Sequence, residues 1–336
     1  MTPVFDQRIT DPAAWNARDI DDGAALVRRL SAQECAAIER LADAVADRPV
    51  HGIGRVDFSD PLIDALMDEV RDAVMNGRGA MVVSGLDIGG MPVDRFERIY
   101  WGLGTHLGNG AIQGPLGDWV ARVEKSEDNP TGRGTLMDVE LRPHTDMHEV
   151  MALACYSMAQ SGGESALVSS LGIHNAIYEE RPDLLAPLYR GYWAGNNPAI
   201  PSVKPLSDAP VPIFCNVDGL VSCYYNKFFL MTAAKMRGEA LPADLVEAMD
   251  YFDELAIRPE MGANFMLKPG EMLFWHNFKL LHARQSFHDA PGAKRLLLRL
   301  WLNLPDGRPV DPLIAERARI IDIDHFAAAG LEMADA

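Results

Sequence analysis

The sequence predicts an α+β chain forming one domain, 1–336, with a mainly β core. Three observations support this prediction. Apolar residues in the first third recur at helical spacing, while the middle and the end of the chain contain short apolar or alternating runs typical of strands. In addition, residues suited to holding one metal ion lie far apart in the chain, and only a closed or double-layered β-structure would bring their strands together.

The first part of the chain, 1–78, is predicted to be mostly helical. The segment SAQECAAIERLADAVA begins at Ser31, a residue type that caps helices, and continues with apolar residues at helical intervals. The segment PLIDALMDEVRDAVMNGRG has Pro61 in its first turn and ends in glycines. We expect a buried strand in AMVVSGL next, followed by a helix in PVDRFERIYWGLGTHLG.

The range 79–303 is predicted to form the β core with inserted helices. DWVARVEKS and VMALACYSMA are typical of strands, and Ser170 is expected to cap a helix that precedes a turn. Asp218 and Gly219 form a hairpin signal between two strands. LPADLVEAMDYFDELA has the pattern of an amphipathic helix.

The end of the predicted core contains a turn and a strong strand. NFMLKPGEMLFWHN is expected to form two strands around a turn at Pro269 and Gly270, and RLLLRLWLN to form the last strand. The segment 195–212, rich in Pro, Asn and Ser, is long for a loop, and long loops are often lids or binding loops. We describe 304–336 as a C-terminal extension.

Composition excludes several kinds of partner. With 48 acidic and 31 basic residues, the net charge of −17 repels nucleic acid and anionic membranes, so we expect a small-molecule partner. The four cysteines form no CxxC pair and are expected to be reduced thiols. The N-terminal residues lack a secretory pattern, and no apolar run approaches the roughly 18 residues of a membrane span. These features predict a cytoplasmic protein.

Two short motifs carry the candidate metal ligands. His144 and Asp146 are two residues apart, which would place both side chains on one face of a strand, and His282 would join them from a distant strand. Two imidazoles and a carboxylate are the ligand set of a mononuclear non-haem iron(II) site with open positions. An H-x-D pair is common by chance, however, and His148 and His276 compete as ligands.

The predicted strand RLLLRLWLN carries two arginines on one face. Arg295 and Arg299 alternate with leucines, so the leucines are expected to face the core and the arginines the opposite side. If that side is buried, each guanidinium needs an anion, because an unpaired buried charge is costly. A carboxylate matches the forked guanidinium, whereas on an open surface the arginines would be ordinary solvated charges.

Taken together, the motifs resemble those of the taurine dioxygenase family of iron(II)- and 2-oxoglutarate-dependent oxygenases. These motifs are H-x-D, GG-[DE]-[ST], PGE, H-x-R-x-x-F and a spaced arginine pair, found here in HTD, GGES, LKPGE, LHARQSF and RLLLRLWL. The resemblance extends from about residue 79 to 303. It implies a double-stranded β-helix (a cupin-like jelly roll) with flanking and inserted helices. Related oxygenases often pair, so a homo-oligomer is an expectation based on the resemblance alone.

The resemblance also implies roles for individual residues. His144, Asp146 and His282 match the Fe(II) ligands. Ser165 and Arg295 stand where the family binds 2-oxoglutarate. The implied reaction uses O2, releases succinate and CO2, and hydroxylates an unactivated C–H bond. Related oxygenases that halogenate carry a small residue in place of the carboxylate ligand. Because Asp146 occupies that position here, the resemblance disfavours halogenation.

The substrate is less clearly indicated. Polar residues that follow predicted strands or occupy loops suggest a small polar molecule such as an amino acid, an amine or a carboxylate. The candidate substrate-binding residues are Arg299, Gln113, Asn109, Asn196, Tyr224 and Asn226. For each amide, a hydrogen bond that stabilises a loop is the competing interpretation.

Three alternatives remain open at the level of the sequence. The same site could give desaturation, cyclisation or epimerisation instead of hydroxylation. The chain could be a β-helix protein that binds a metal or a small ligand without turnover. A zinc hydrolase could use the same ligand set, but it would not explain GGES and Arg295.

Overall fold

The computed structural model describes residues 3–114, 116–129 and 131–331. Within these residues the α-helices are α1 Ala32–Ala44, α2 Pro61–Met75, α3 Val93–Gly104, α4 Ser170–Glu180, α5 Leu185–Arg190, α6 Lys227–Arg237, α7 Ala243–Ala256 and α8 Pro312–Ala328. None of the described helices combines the length and the apolar content that a bilayer crossing would require.

Most of the strands belong to two sheets. They are β1 Val27–Arg29, β2 Ala80–Ser84, β3 Asn109–Gly110, β4 Ala121–Val123, β5 Leu141–His144, β6 Val150–Ser157, β7 Ser161–Gly162, β8 Ser165–Ser169, β9 Phe214–Val217, β10 Leu220–Cys223, β11 Gly262–Phe265, β12 Met272–His276, β13 Leu280–Arg284, β14 Phe287–His288 and β15 Leu296–Asn303. The larger sheet has the order β1-β2-β12-β6-β15-β3, with β4 also paired to β15, and the smaller has the order β11-β8-β13-β5. Two short antiparallel pairs, β9 with β10 and β7 with β14, complete the strands.

The two sheets face each other across a shared apolar layer. Leu273 and Trp301 of the larger sheet belong to the same buried cluster as Leu167 and Leu280 of the smaller sheet. Side chains at alternate positions of a strand point to opposite faces, so each sheet has a second face to cover. The predicted mainly β core with helical additions is therefore confirmed.

Helices cover the outer faces of both sheets. Leu298, Leu300 and Leu302 of β15 pack in one cluster with residues of α1, α2 and α3, as the alternation of leucine and arginine predicts. Val168 and Leu281 of the smaller sheet pack in another cluster with α4, α5 and α7. The inner face of β15 is thereby left for Leu297, Trp301 and the arginines.

Several local predictions are confirmed by the backbone. Ser31 caps α1 in a reciprocal arrangement with Glu34, and Pro61 occupies the first turn of α2. The hairpin between β9 and β10 turns at Asp218, whose φ is 53°, and Gly219, whose φ is 81°. A positive φ favours residues without a bulky side chain, which explains why this dipeptide is a turn signal.

Other local predictions were wrong in detail. The side chain of Ser169, not Ser170, accepts the capping hydrogen bond of α4 from the Gly172 N–H. The predicted turn at Pro269 and Gly270 between two strands is confirmed, but its strands β11 and β12 lie in different sheets, because β11 pairs with β8 whereas β12 pairs with β2 and β6. Helix α8, within the C-terminal extension, and helix α6 were not predicted at all.

Candidate active site

The candidate metal ligands meet at the inner face of the smaller sheet. Strand β13 runs antiparallel to β5, and His282 lies directly opposite His144, with 4.2 Å between the ring centroids. One ligand atom from each of His144, Asp146 and His282 lies within 4.8 Å of the other two. The structure therefore brings together the three side chains that the sequence singled out.

Asp146 is placed by a buried amide rather than by strand alternation. The sequence predicted that His144 and Asp146 point to the same face of one strand. Strand β5 ends at His144, however, so Asp146 lies beyond the strand and its position has another cause. The fully buried Asn277 accepts a hydrogen bond from the Asp146 N–H at 3.1 Å and donates to the carbonyls of Asp146 and His148, each at 2.8 Å. Thr145 is held in turn by hydrogen bonds to the Tyr225 backbone.

A hydrogen bond orients His144, and burial keeps His282 neutral. His144 Nδ1 lies 2.8 Å from the Arg142 carbonyl oxygen and donates to it, so Nε2 is left as the ligand atom, 3.7 Å from Asp146 Oδ1. Burial lowers the pKa of His282 to about 3, so this imidazole is neutral at pH 7. A neutral imidazole with an available lone pair is the form that binds a metal.

The Asp146 carboxylate is held through one oxygen. Its Oδ2 accepts hydrogen bonds from Trp301 Nε1 at 2.9 Å and from Arg299 Nη1 at 3.2 Å. Burial alone would raise the pKa of Asp146, but the Arg299 charge, the two imidazoles and the Trp301 N–H together hold it well below its usual range. The carboxylate is therefore ionised, and Oδ1 is available to a cation.

Arg299 is occupied on two of its edges. Its Nε donates to Gln113 Oε1 at 2.9 Å, while Gln113 Nε2 donates to the Arg299 carbonyl at 2.5 Å. Together with the bond to Asp146, these contacts fix the guanidinium beside the ligand cluster. Of the three guanidinium nitrogens of Arg299, only Nη2 has no hydrogen-bond partner among the described residues. Gln113 thus positions Arg299.

Arg295 lies in a different part of the same interior. Its guanidinium carbon is 5.1 Å from the Phe287 ring centroid, and a Cβ at Gly163 would lie 3.0 Å from its Nε. The glycine turn of GGES therefore packs directly against this guanidinium. Burial lowers the pKa of Arg295 to about 10, so it stays charged, and its buried Nη1 has no described partner. These features suit a bound carboxylate.

A cavity of about 490 Å³ connects these groups. Its lining includes eight of the site residues that were predicted from the sequence: His144, Asp146, His282, Ser165, Arg295, Arg299, Asn196 and Asn226. Asn196 is also bonded to Ser202 and Asp324, and Asn226 caps α6. The size is within the range of sites for small molecules.

Three nominated substrate residues lie outside this lining. Asn109 is an exposed residue of β3 paired with Asn303, and Gln113 lies behind Arg299. Tyr224 is buried with its hydroxyl on Met147 Sδ, because the neighbouring Tyr225 takes the position on the cavity wall. The predicted contacts of these three side chains with a substrate therefore have no support in the cavity.

Neither competing histidine joins the cluster. His148 Nε2 is 2.9 Å from Asp322 Oδ1, and the ring stacks on Trp301 at 4.7 Å. His276 is fully buried with Nε2 3.3 Å from Glu149 Oε1. Both histidines therefore lie beside other carboxylates, outside the cluster of His144, Asp146 and His282.

Several cavity residues were missed by sequence reasoning. Arg284, within LHARQSF, lines the cavity and donates through Nη2 to the carbonyls of Met137 and Val139. Arg133 lines it from a loop, and His325 from α8. The H-x-R spacing is a signal for Arg284, but nothing local distinguishes Arg133 or His325 from surface residues.

Comparison with known families agrees with this geometry. The model of the "Taurine catabolism dioxygenase TauD, TfdA family" matches residues 37–301. FR-33289 synthase of Streptomyces rubellomurinus is 25% identical over 319 residues, which cover 92% of this chain and 94% of that protein. The taurine hydroxylase-like protein SAT17 of Stachybotrys chartarum is 31% identical over 220 residues, 60% of this chain and 55% of its own length.

A further relative and two solved structures extend the comparison. A uridine-5'-phosphate dioxygenase of a Streptomyces species is 28% identical over 160 residues, 46% of this chain and 56% of its own length. Asparagine oxygenase with Fe(II), 3-hydroxyasparagine and succinate has a TM-score of 0.67 at 15% identity, covering 83% of this chain and 93% of that one. The non-haem iron oxygenase OrfP with Fe and α-ketoglutaric acid has a TM-score of 0.61 at 14% identity, covering 82% and 94%.

At such low identity the solved structures show the fold, and the family match covers most of the chain. The predicted fold, cofactors and enzyme class are confirmed. The chain belongs to the TauD/TfdA family and is an iron(II)- and 2-oxoglutarate-dependent dioxygenase.

Proposed function

We propose that this enzyme hydroxylates an unactivated C–H bond of a small polar molecule and releases succinate and CO2. The observation that carries the proposal is the convergence of His144, Asp146 and His282 in a cavity that also holds buried guanidinium groups. In this proposal the three residues hold Fe(II), which when bound supplies the position where O2 is activated. The other residues of the cavity are proposed to hold and orient the reactants and to exclude water.

The protein keeps its ligand set in one geometry. Trp301 and Arg299 fix one carboxylate oxygen of Asp146, and the Arg142 carbonyl fixes the tautomer of His144. Groups that bond to a ligand in this way set its orientation and its affinity for the metal. The carboxylate also stays ionised because the Arg299 charge lies against it, so no proton competes with the cation at neutral pH.

Arg295 and Ser165 are proposed to hold 2-oxoglutarate. A dicarboxylate that reaches the metal with one end would place its other carboxylate at Arg295, whose Nη1 has no described partner. Ser165 lies in β8 opposite Arg284 of β13, and both residues line the cavity. Ser165 is therefore on the part of the cavity wall that Arg284 also forms. Met151, Leu153 and Leu273 add apolar lining that keeps water from this region.

The primary substrate is proposed to be small and polar, such as an amino acid, an amine or a carboxylate. Asn196, Asn226 and Arg299 offer polar atoms along the cavity. The relatives support this class, since one is named for uridine-5'-phosphate and the solved structures hold 3-hydroxyasparagine and 3-hydroxyarginine.

The proposal is tested by succinate formation from 2-oxoglutarate with Fe(II) and air. We expect slow turnover without a primary substrate and faster turnover when amino acids, amines and carboxylates are screened one at a time. His144→Ala and Asp146→Ala should abolish succinate formation, whereas His288→Ala, at an exposed position in β14, should behave as wild type. Turnover that persists in both ligand variants would refute the site assignment.

Product mass then identifies the outcome of the reaction. Hydroxylation adds one oxygen atom to the substrate, whereas desaturation or cyclisation removes two hydrogens. Metal binding without any oxygen consumption would instead support a β-helix protein that binds a ligand without turnover.

A further inference from the structure

The arginines of the cavity fall into two groups. Arg284 and Arg295 lie on Phe287, with their guanidinium carbons 5.0 and 5.1 Å from its ring centroid. At the other end, the consecutive residues Gln113 and Gly114 contact Arg299 and Arg133 respectively. Gln113 bonds to Arg299, and a Cβ at Gly114 would lie 2.4 Å from Arg133 Nη1.

The electrostatic neighbours of each arginine agree with this division. The pKa of Arg133 is lowered to about 10, first by burial and then by the charge of Arg299, with Asp146 and Asp118 acting in the opposite direction. The pKa of Arg284 is likewise lowered to about 10 by burial and then by the charge of Arg295. Arg133 therefore belongs to the end that contains Asp146, and Arg295 to the end proposed for 2-oxoglutarate.

Arg133 is half-buried in the cavity wall, and it has no anionic partner among the residues that the structure describes. No described carboxylate lies within ion-pair distance of its guanidinium. Asp146 and Asp118 raise the pKa of Arg133 through their charge, without a hydrogen bond to it. By contrast, Arg299 and Arg284 are hydrogen-bonded to Asp146 and to loop carbonyls. A guanidinium that lines a cavity, is partly withdrawn from water and has no described anionic partner is available to an anion that enters the cavity.

The loop that carries Arg133 is anchored rather than loose. The Asn129 side chain accepts from the Arg133 N–H and donates to the Arg133 carbonyl, each at 2.9 Å. Asn197 donates to the Thr131 carbonyl at 3.0 Å, and Arg284 holds the carbonyl of Met137 at 2.7 Å. The guanidinium is thus presented to the cavity from a fixed backbone.

We propose that Arg133 binds an oxyanion of the primary substrate (a carboxylate, phosphonate or phosphate group) beside the buried Nη2 of Arg299, and so selects anionic substrates. The inference rests on the proposed function, because it assigns the second end of the cavity to the molecule that is hydroxylated. It distinguishes the substrate anion from the 2-oxoglutarate carboxylate, which Arg295 is proposed to hold.

The test uses small anions as probes of the site. Iron(II)-loaded enzyme is saturated with 2-oxoglutarate under nitrogen, so that the Arg295 end is filled, and is titrated with methylphosphonate or with acetate while Tm is measured. We expect a saturable rise in Tm with at least one anion. The stronger of the two responses identifies a tetrahedral or a planar group as the preferred oxyanion.

Variants then locate the anion. A hydrogen bond to a charged group contributes about 1.5–3 kcal/mol, so Arg133→Gln should need about 10–100-fold more anion for the same rise in Tm. Arg133→Lys keeps the charge and should be intermediate. Gly114→Ala keeps Arg133 but displaces its guanidinium, and it should also weaken the response. The matched control is Arg319→Gln, which removes a charge from an exposed position of α8 outside the cavity lining and should respond as wild type.

The outcomes separate the two proposals. The inference is overturned if neither anion gives a saturable response in the wild type, if Arg133→Gln responds as wild type does, or if Arg319→Gln loses as much. If Arg133→Gln does not fold, Arg133→Lys and Gly114→Ala decide by the same criterion. Succinate formation by the same wild-type preparation is measured in air. Succinate without an anion response overturns only the role of Arg133, whereas an anion response without succinate overturns the proposed reaction.

Discussion

The indole N–H of Trp301 allows a direct test of how the protein holds Asp146, which is proposed to bind Fe(II). The perturbation is Trp301→Phe, which keeps an aromatic ring in β15 but removes the donor 2.9 Å from Asp146 Oδ2. The second donor to the same oxygen, Arg299 Nη1 at 3.2 Å, remains. The variant therefore deletes one of two described hydrogen bonds and leaves the carboxylate less firmly oriented.

The expected magnitude follows from the kind of bond that is lost. A hydrogen bond to a charged group contributes about 1.5–3 kcal/mol, and each 1.4 kcal/mol corresponds to about a factor of ten. Loss of a group that orients a metal ligand typically lowers metal affinity by about 10–100-fold. We therefore expect Fe(II) affinity to fall by about 10–100-fold in Trp301→Phe.

The assay is the Fe(II) concentration that half-activates succinate formation, measured at saturating 2-oxoglutarate. The matched control is Trp275→Phe. Trp275 packs 5.1 Å from the His282 ring, but its Nε1 has no hydrogen-bond partner among the described residues. The same substitution there changes ring size beside a ligand without deleting a hydrogen bond. An unchanged iron requirement in Trp301→Phe, or an equal loss in both variants, would refute the reasoning.

Two further predictions concern the co-substrate and stability. Gly163→Ala, at a φ of 83° with a new Cβ 3.0 Å from Arg295 Nε, should raise the KM for 2-oxoglutarate by about 10–100-fold, because small misplacements of a binding group are costly. Gly219→Ala has a similar φ and open space, and it should leave that KM unchanged. Glu34 is bonded to Arg28, which holds its pKa at about 2, below the value near 4.5 that it has when unfolded. The bond therefore stabilises the fold above about pH 4.5 and is lost as pH falls toward 2. Thermal unfolding of wild type and Glu34→Gln should show a Tm difference at pH 7 that shrinks between pH 5 and 3, and a constant difference would contradict this account.

Much of the secondary structure could be predicted because its causes are local. Ser31 and Pro61 mark helix starts through the groups at the helix ends, and Asp218-Gly219 marks a turn through its backbone conformation. Helix α6 was missed because its apolar residues begin as one continuous run, FFLM, which has no helical spacing. The Pro269-Gly270 turn was recognised, but a turn does not reveal that its two strands enter different sheets.

The candidate site was only partly predictable. The types and order of the candidate ligands are visible in the sequence, and the alternation in RLLLRLWLN predicts that Arg295 and Arg299 share one face. The sequence could not show that Asp146 lies beyond its strand, where Asn277 holds it. That contact joins residues far apart in the chain, and no local pattern carries information about it.

The sequence by itself determined which chemistry the chain can support. Two imidazoles, a carboxylate and a pair of inward arginines follow from residue identity and from the two-residue period of strands. Only the tertiary structure decided how the charges are used: Arg299 is hydrogen-bonded to Asp146, whereas Arg133 has no carboxylate partner among the described residues. The physical reason is that the energy of a buried charge depends on what lies within a few ångströms of it, and those neighbours are set by packing between distant segments.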